Sequence, residues 1–197
     1  MKRFVSLYIR LTLLAMLLML TSCTAYEFKG AVVEPPDMAA DFTLIDQNGN
    51  PFRLADQRGN VVVIFFGYTN CPDICPATMS DMQVVMNRLG DQRDQLKVVF
   101  ITVDPDRDTS ERLQRFIGMF DQEIVGLTGD STTLSGVYKA YGAGATRRDL
   151  PDSALVYAMD HTATSTIIDK QGQRRLLFGF GTPVDDMLSD LSALINE

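Results

Sequence analysis

The stretch Val61-Val62-Val63-Ile64-Phe65-Phe66-Gly67-Tyr68-Thr69-Asn70-Cys71-Pro72-Asp73-Ile74-Cys75-Pro76 decides the architecture of this chain. Its first six residues are β-branched or aromatic with no polar interruption, the pattern of a strand buried on both faces in the middle of a sheet. A short polar loop follows. From Pro76, the apolar residues Met79, Met82, Met86 and Leu89 keep helical spacing until Gly90 ends the run. This order places Cys71 in a loop at the carboxyl edge of the sheet, where the ligand sites of α/β folds gather. It places Cys75 at a helix start, where the dipole and free N–H groups stabilise a thiolate.

The flanking sequence completes the sheet. Val98 to Val103 reads as a second buried strand, Thr109 to Phe120 as a helix capped by Asp108 or Thr109, and Ile124 to Leu127 as a short strand. Thr132 to Tyr141 reads as a helix stopped by Gly142. Leu155 to Ala158, Ser165 to Ile168 and Arg175 to Phe178 read as strands, with a turn at Lys170-Gln171-Gly172 and a last helix over Pro183 to Ile195. Upstream, Phe42 to Ile45 and Phe52 to Leu54 flank the turn signal Asn48-Gly49-Asn50, a hairpin pattern. The alternation predicts an α/β fold: a mixed sheet with helices on both faces and an N-terminal β-hairpin. That order is similar to a thioredoxin-like domain, and it occupies 41–197.

The N-terminus has a different character. Lys2, Arg3 and Arg10 precede the uncharged apolar run Leu11 to Leu20, which is too short for the roughly 20 residues a membrane span needs. It fits the core of a secretory signal. Leu20-Thr21-Ser22-Cys23 then resembles the lipobox of bacterial lipoproteins, in which the cysteine is lipidated and becomes the first mature residue. The expectation is a signal peptide over 1–22, a lipidated Cys23, and a linker to residue 40 containing Pro35-Pro36. The protein is then tethered to the cell membrane, facing the periplasm or the exterior.

Composition removes several classes of function. The chain has 18 basic and 25 acidic residues; without 1–22 the balance is 15 against 25, so the basic surface that nucleic acid requires is missing. At 46% apolar residues it can bury a core. Three cysteines are too few for a disulfide scaffold, and a single histidine excludes sites that need two.

With Cys23 lipidated, Cys71 and Cys75 are the remaining thiols, and they can converge on one metal ion or close a disulfide. Two soft thiolates favour Cu(I) or Zn. Zinc in a structural site takes four ligands, whereas His161 is the one further strong ligand in this sequence; two cysteines and one histidine suit copper. In thioredoxin-like enzymes the loop before the corresponding strand carries a proline facing the cysteines. Ala163 to Ile168 contains no proline, so His161 is expected to take that place. Asp73 and Asp160 are candidates for tuning or orienting these ligands. Asp104, Asp106 and Asp108 open like a calcium loop, but Thr109 and Arg115 stand where that template needs Gly and Glu. The Met-rich helix reads as core packing, and Gly142-Ala143-Gly144 as a loop.

Several motifs together resemble the Sco/SenC copper-binding proteins: Phe42-Thr43-Leu44, the strand 61–69, Cys-Pro-x-x-Cys-Pro at 71–76, Val103-Asp104-Pro105-Asp106-Arg107-Asp108-Thr109, and Asp160-His161. The resemblance implies copper, Cu(I) or Cu(II), held by Cys71, Cys75 and His161. It implies a metallochaperone that assists assembly of the copper site of cytochrome c oxidase, with that subunit or another copper protein as partner. A monomer is expected. The alternative is a thiol–disulfide oxidoreductase that keeps a partner's cysteines reduced, with Cys71 attacking and Cys75 resolving.

Overall fold

The computed structural model describes residues 26–151, 153 and 155–197. The expected signal peptide 1–22 and the lipobox residue Cys23 lie outside the described residues. Among those described, no helix is long and apolar enough to cross a membrane.

The strands are β1 (Ala31–Met38), β2 (Thr43–Asp46), β3 (Pro51–Arg53), β4 (Val61–Gly67), β5 (Leu96–Thr102), β6 (Val125–Thr128), β7 (Ala145–Asp149), β8 (Tyr157–His161), β9 (Thr164–Ile168) and β10 (Gln173–Gly179). The α-helices are α1 (Ile74–Leu89), α2 (Ser110–Ile117), α3 (Ser131–Tyr141) and α4 (Val184–Asn196). Eight strands form one sheet in the order β1-β10-β9-β4-β5-β6-β2-β3, while β7 and β8 form a separate hairpin.

Every residue of β4 is buried. It pairs in parallel with β5, from Val61↔Leu96 to Gly67↔Thr102, and antiparallel with β9, from Val62↔Ile168 to Phe65↔Ser165. Neither face meets water, which is why the sequence shows no polar alternation. The connections β4–α1–β5 and β5–α2–β6 step in the same direction, and right-handed crossovers then put α1 and α2 on one face. Phe100 of β5 accordingly packs on Phe116 of α2, with centroids 5.3 Å apart. Alongside α1 lies α4, with Arg88 paired to Asp185 at 2.6 Å. The opposite face is covered by α3, where Phe66 meets Tyr138 and Tyr141 at 6.0 and 5.9 Å. The fold is the expected thioredoxin-like mixed sheet, with the β2–β3 hairpin near its N-terminus. Met79, Met82 and Met86 are buried on α1 as core packing.

Two expectations change and one strand is added. The segment read as linker up to residue 40 contains an edge strand: β1 pairs antiparallel with β10. Its register breaks between Val32 and Asp37, so Pro35 and Pro36 fall where no ladder donor is needed. Exposure along nearly its whole length removes the apolar alternation that marks a strand. The loop expected at 142–144 is present and leads into an additional strand, β7, whose Ala-Thr-Arg-Arg-Asp sequence is stranded because it pairs with β8, from Ala145↔His161 to Asp149↔Tyr157. The strand expected at 155–158 is shifted to Tyr157–His161, so His161 ends a strand instead of sitting in the following connection.

The chain enters the sheet through a buried acid. Asp190 of α4 is fully buried and accepts from Lys29 N–H (3.0 Å), Gly30 N–H (2.8 Å) and the Tyr26 hydroxyl (2.8 Å). Removing the acceptor leaves these donors without their partner, at a cost of about 2–3 kcal/mol for bonds to a charged group. Asp190→Ala is therefore expected to lower stability by that amount in urea unfolding. It should also raise hydrogen exchange at Lys29 and Gly30 more than in β4.

Candidate metal centre

The buried strand delivers the first cysteine. After Gly67 the chain leaves the sheet, and Asp108 fixes its path: the carboxylate accepts from Thr69 N–H at 3.0 Å, Thr69 Oγ1 at 2.6 Å and Thr102 Oγ1 at 2.7 Å. Burial pushes the Asp108 carboxyl above its usual range, and the threonine donors offset this only in part. Asp108 is thus a loop clamp, and Thr109 caps α2 through Arg112 N–H at 3.4 Å. Cys71 N–H then closes a turn onto Tyr68 C=O at 3.2 Å.

The second cysteine sits on α1, which begins at Ile74, two residues before the expected Pro76. In the first turn a proline forfeits no intrahelical bond, because those N–H groups have no partner within the helix. Cys75 is fully buried beneath the end of β4. A Cβ on Gly67 would lie 2.8 Å from Cys75 Sγ and 2.7 Å from the Phe100 ring, so only glycine lets the sulfur in.

His161 reaches the same point from the end of β8. Its ring meets Phe65 and Tyr68 edge-on, with centroids 6.0 and 5.7 Å away. Nδ1 faces Thr162 C=O at 3.1 Å. A carbonyl only accepts, so Nδ1 carries a proton, and Nε2 is the ring nitrogen turned toward the sulfurs. Nε2 lies 3.5 Å from Cys75 Sγ.

Cys71 Sγ, Cys75 Sγ and His161 Nε2 all lie within 4.8 Å of one another. Thiolates bind at about 2.3 Å and imidazole at about 2.0–2.1 Å in zinc sites, so a small inward shift brings all three onto one ion of that size. Two sulfurs and one imidazole are a soft donor set. The sequence-expected ligands are therefore brought together. Asp160 is not part of the group: it pairs across the hairpin with Arg148 at 3.0 Å, and Thr162 C=O orients the histidine instead. Asp73 stands at the N-cap of α1 without a side-chain cap bond. An open cleft of about 370 Å³ adjoins the centre, walled by Tyr68, Pro72, Ile74, Leu155 and Met159 among others.

The two thiols are unlike. Cys71 is pulled down to about 3, first by the adjacent Cys75 thiol and then by His161 and the backbone N–H groups of Asp73 and Cys75, against the effect of burial. Cys75 is pushed well above the usual thiol value, first by the Cys71 sulfur and then by burial. The two thiols titrate as a coupled pair, with Cys71 the more readily ionised member. Neither cysteine is in a disulfide.

Sequence reasoning missed Asp104, Arg107 and Tyr157. Asp104 is buried, pairs with Arg107, and accepts from the Tyr157 hydroxyl at 2.7 Å. The available signal was an acid and an arginine at i,i+3 inside the Val103–Thr109 motif. Two of its three aspartates take these tasks, Asp104 here and Asp108 at Thr69.

The ionisation difference has a direct readout. In the reduced, metal-free protein, iodoacetamide at pH 5 is expected to modify Cys71 while Cys75 stays protected, as read by peptide mass spectrometry. Because the Cys71 value lies below the normal range, its rate should stay nearly flat from pH 5 to 8 instead of rising about tenfold per pH unit as an ordinary thiol does.

The sequence and fold are similar to those of known proteins. The SCO1/SenC family profile matches residues 31–196. The SCO2-like protein of Rickettsia felis is 35% identical over 136 residues, which is 69% of this chain and 66% of the relative, so the match spans just under two thirds of that protein. The structure of Bradyrhizobium japonicum ScoI with copper bound aligns with a TM-score of 0.74 and 32% identity, over 80% of this chain and 99% of the other. Yeast Sco1 with copper bound aligns with a TM-score of 0.73 and 28% identity, over 82% and 90% of the two chains. A family profile spanning nearly the whole described domain, on a fold that these structures share, makes this chain a member of the SCO1/SenC family.

Proposed function

We propose that this protein is a membrane-anchored, extracytoplasmic copper metallochaperone that binds one copper through Cys71, Cys75 and His161. The convergence of these three donors within 4.8 Å carries the reading. Two similar structures are described with copper bound. Delivery to the copper site of cytochrome c oxidase, or to another copper protein, is what the family resemblance adds.

The residues divide the work. Cys71 is ionised and half-buried at the cleft, so it is the first thiolate an incoming Cu(I) meets. Cys75 lies deeper and gives up its proton as the second bond forms. His161 turns Nε2 toward the same point and supplies the third donor. Three donors leave the ion reachable from the cleft, through which a recipient's ligands would enter. Lipid on Cys23 would hold the domain at the membrane, each buried CH₂ adding about 0.8 kcal/mol.

The same thiols support a second reading. An ionised, accessible Cys71 beside a protonated Cys75 has the attacking and resolving pair of a thiol–disulfide oxidoreductase. That chemistry has no need of an imidazole ligand, so His161 separates the two.

Reduced protein is expected to take up about one copper per chain, and Cys71→Ser or Cys75→Ser to abolish tight binding. His161→Ala should weaken binding by at least about tenfold, keep thiol exchange with a model disulfide, and fail to support oxidase activity in copper-limited cells. Full oxidase activity in His161→Ala cells at low copper, with loss in Cys71→Ser cells, would select the oxidoreductase.

The anchor is tested by intact mass. Membrane-extracted protein should begin at Cys23 and carry acyl chains, and Cys23→Ser should block processing or release the protein. A mature chain that retains residues 1–22 without lipid would remove the anchor from the proposal.

A further inference from the structure

His161 belongs to the one pair of strands that, among the described residues, lies outside the main sheet. The β7–β8 hairpin pairs with none of the eight other strands. At its far end, Arg107 reaches across from the loop after β5. Its Nη1 donates to Leu155 C=O at 3.1 Å and to Tyr157 C=O at 3.0 Å. The guanidinium also lies over the Tyr157 ring, 3.5 Å from its centroid. Asp104 holds Arg107 from behind and accepts from the Tyr157 hydroxyl at 2.7 Å. Asp104 is 3% exposed and Arg107 14% by side chain, so this pairing is shielded from water and screened little by salt.

The two carbonyls that Arg107 grips lie on either side of Val156. Val156 has φ 63°, the single non-glycine residue with positive φ among the described residues. A β-branched side chain avoids that region, and a residue stays there only where its surroundings hold it. Gly142 and Gly144 lead into β7, and Gly144 N–H and Thr162 N–H exchange bonds with Thr162 Oγ1 and Gly144 C=O at 3.0 and 3.1 Å. The hairpin is thus closed near His161 by its own residues and held at the other end by Arg107.

We propose that the Asp104–Arg107 pair is a positioning device for the third ligand: by fixing both carbonyls around Val156 and the Tyr157 side chain, it sets where β8 runs and keeps His161 Nε2 at the two sulfurs. Arg107, Asp104 and Tyr157 touch none of the three donors and act through His161. The same loop holds Thr69 through Asp108 on the cysteine side. One seven-residue segment, Val103 to Thr109, therefore fixes both halves of the centre relative to each other. The part of this inference that concerns metal rests on the copper reading above.

Arg107→Met and Tyr157→Phe test it in the full-length chain. Metal-free protein is examined first by hydrogen exchange. Both variants are expected to speed exchange at Tyr157–His161 by about tenfold or more, while β4 and β5 keep wild-type protection. Cu(I) titration against a competing chelator follows. Affinity should fall about tenfold, as for other residues that orient a metal ligand, but neither substitution should lower it further in a His161→Ala background. A purely structural role would lower affinity in both backgrounds alike. That result, or unchanged hairpin exchange in both variants, overturns the proposal. If Arg107→Met loosens β4 and β5 as well, Tyr157→Phe, which removes only a hydroxyl, decides between the two roles. Wild-type protein that takes up no Cu(I) would sink the copper reading, and the exchange measurement would then decide the positioning role alone.

Discussion

The arrangement of this domain depends on the close approach of the Cys75 sulfur to the end of β4. A sulfur can lie there because Gly67 has no side chain, and because Phe65 and Phe100 close the space around it. The Cys71 sulfur beside it, and then its burial, push the Cys75 thiol up, while Cys75 in turn pulls Cys71 down. The same contact fixes the start of α1 against the sheet. The packing of one strand end thus settles the position of both thiols and their difference in ionisation.

The centre combines two kinds of support. The cysteines stand in the loop that leaves the fully buried strand β4 and on the helix packed on that strand. The histidine stands on a separate hairpin, tied in by a few polar contacts. Local stability varies in this way across folded domains, and elements that must rearrange are drawn from its low end. A site that has to acquire an ion and later yield it to a recipient benefits from this division. Two donors can stay fixed while the third changes its distance. The Val103–Thr109 segment is where the two supports meet, which gives physical content to its run of aspartates and an arginine.

At the opposite edge of the sheet from the β2–β3 hairpin, β1 covers β10, and Asp190 anchors the residues that precede β1. Because β1 is antiparallel to β10, its first residues lie beside the end of β10, next to the start of β9 and so at the same sheet end as the cysteines. An edge strand carrying two prolines also blunts pairing with a second chain.

Some of this was legible in the residues alone. A continuous β-branched and aromatic run can only be stable where both faces are covered, so Val61 to Phe66 identified the central strand, and helical spacing of the methionines identified the helix behind the second cysteine. The two thiols and the lone histidine were identifiable because the chain has only one other cysteine and no other histidine. Elements without an apolar period escaped: β1 is exposed, and β7 exists only through its pairing with β8. The roles of Asp104, Arg107 and Tyr157 were hidden for the same reason, since 53 residues separate Asp104 from the hydroxyl it accepts. Local periodicity and donor chemistry are written in the sequence. Which distant groups share a proton, grip a carbonyl or bring Nε2 to within 3.5 Å of a sulfur is decided only when tertiary packing brings them together.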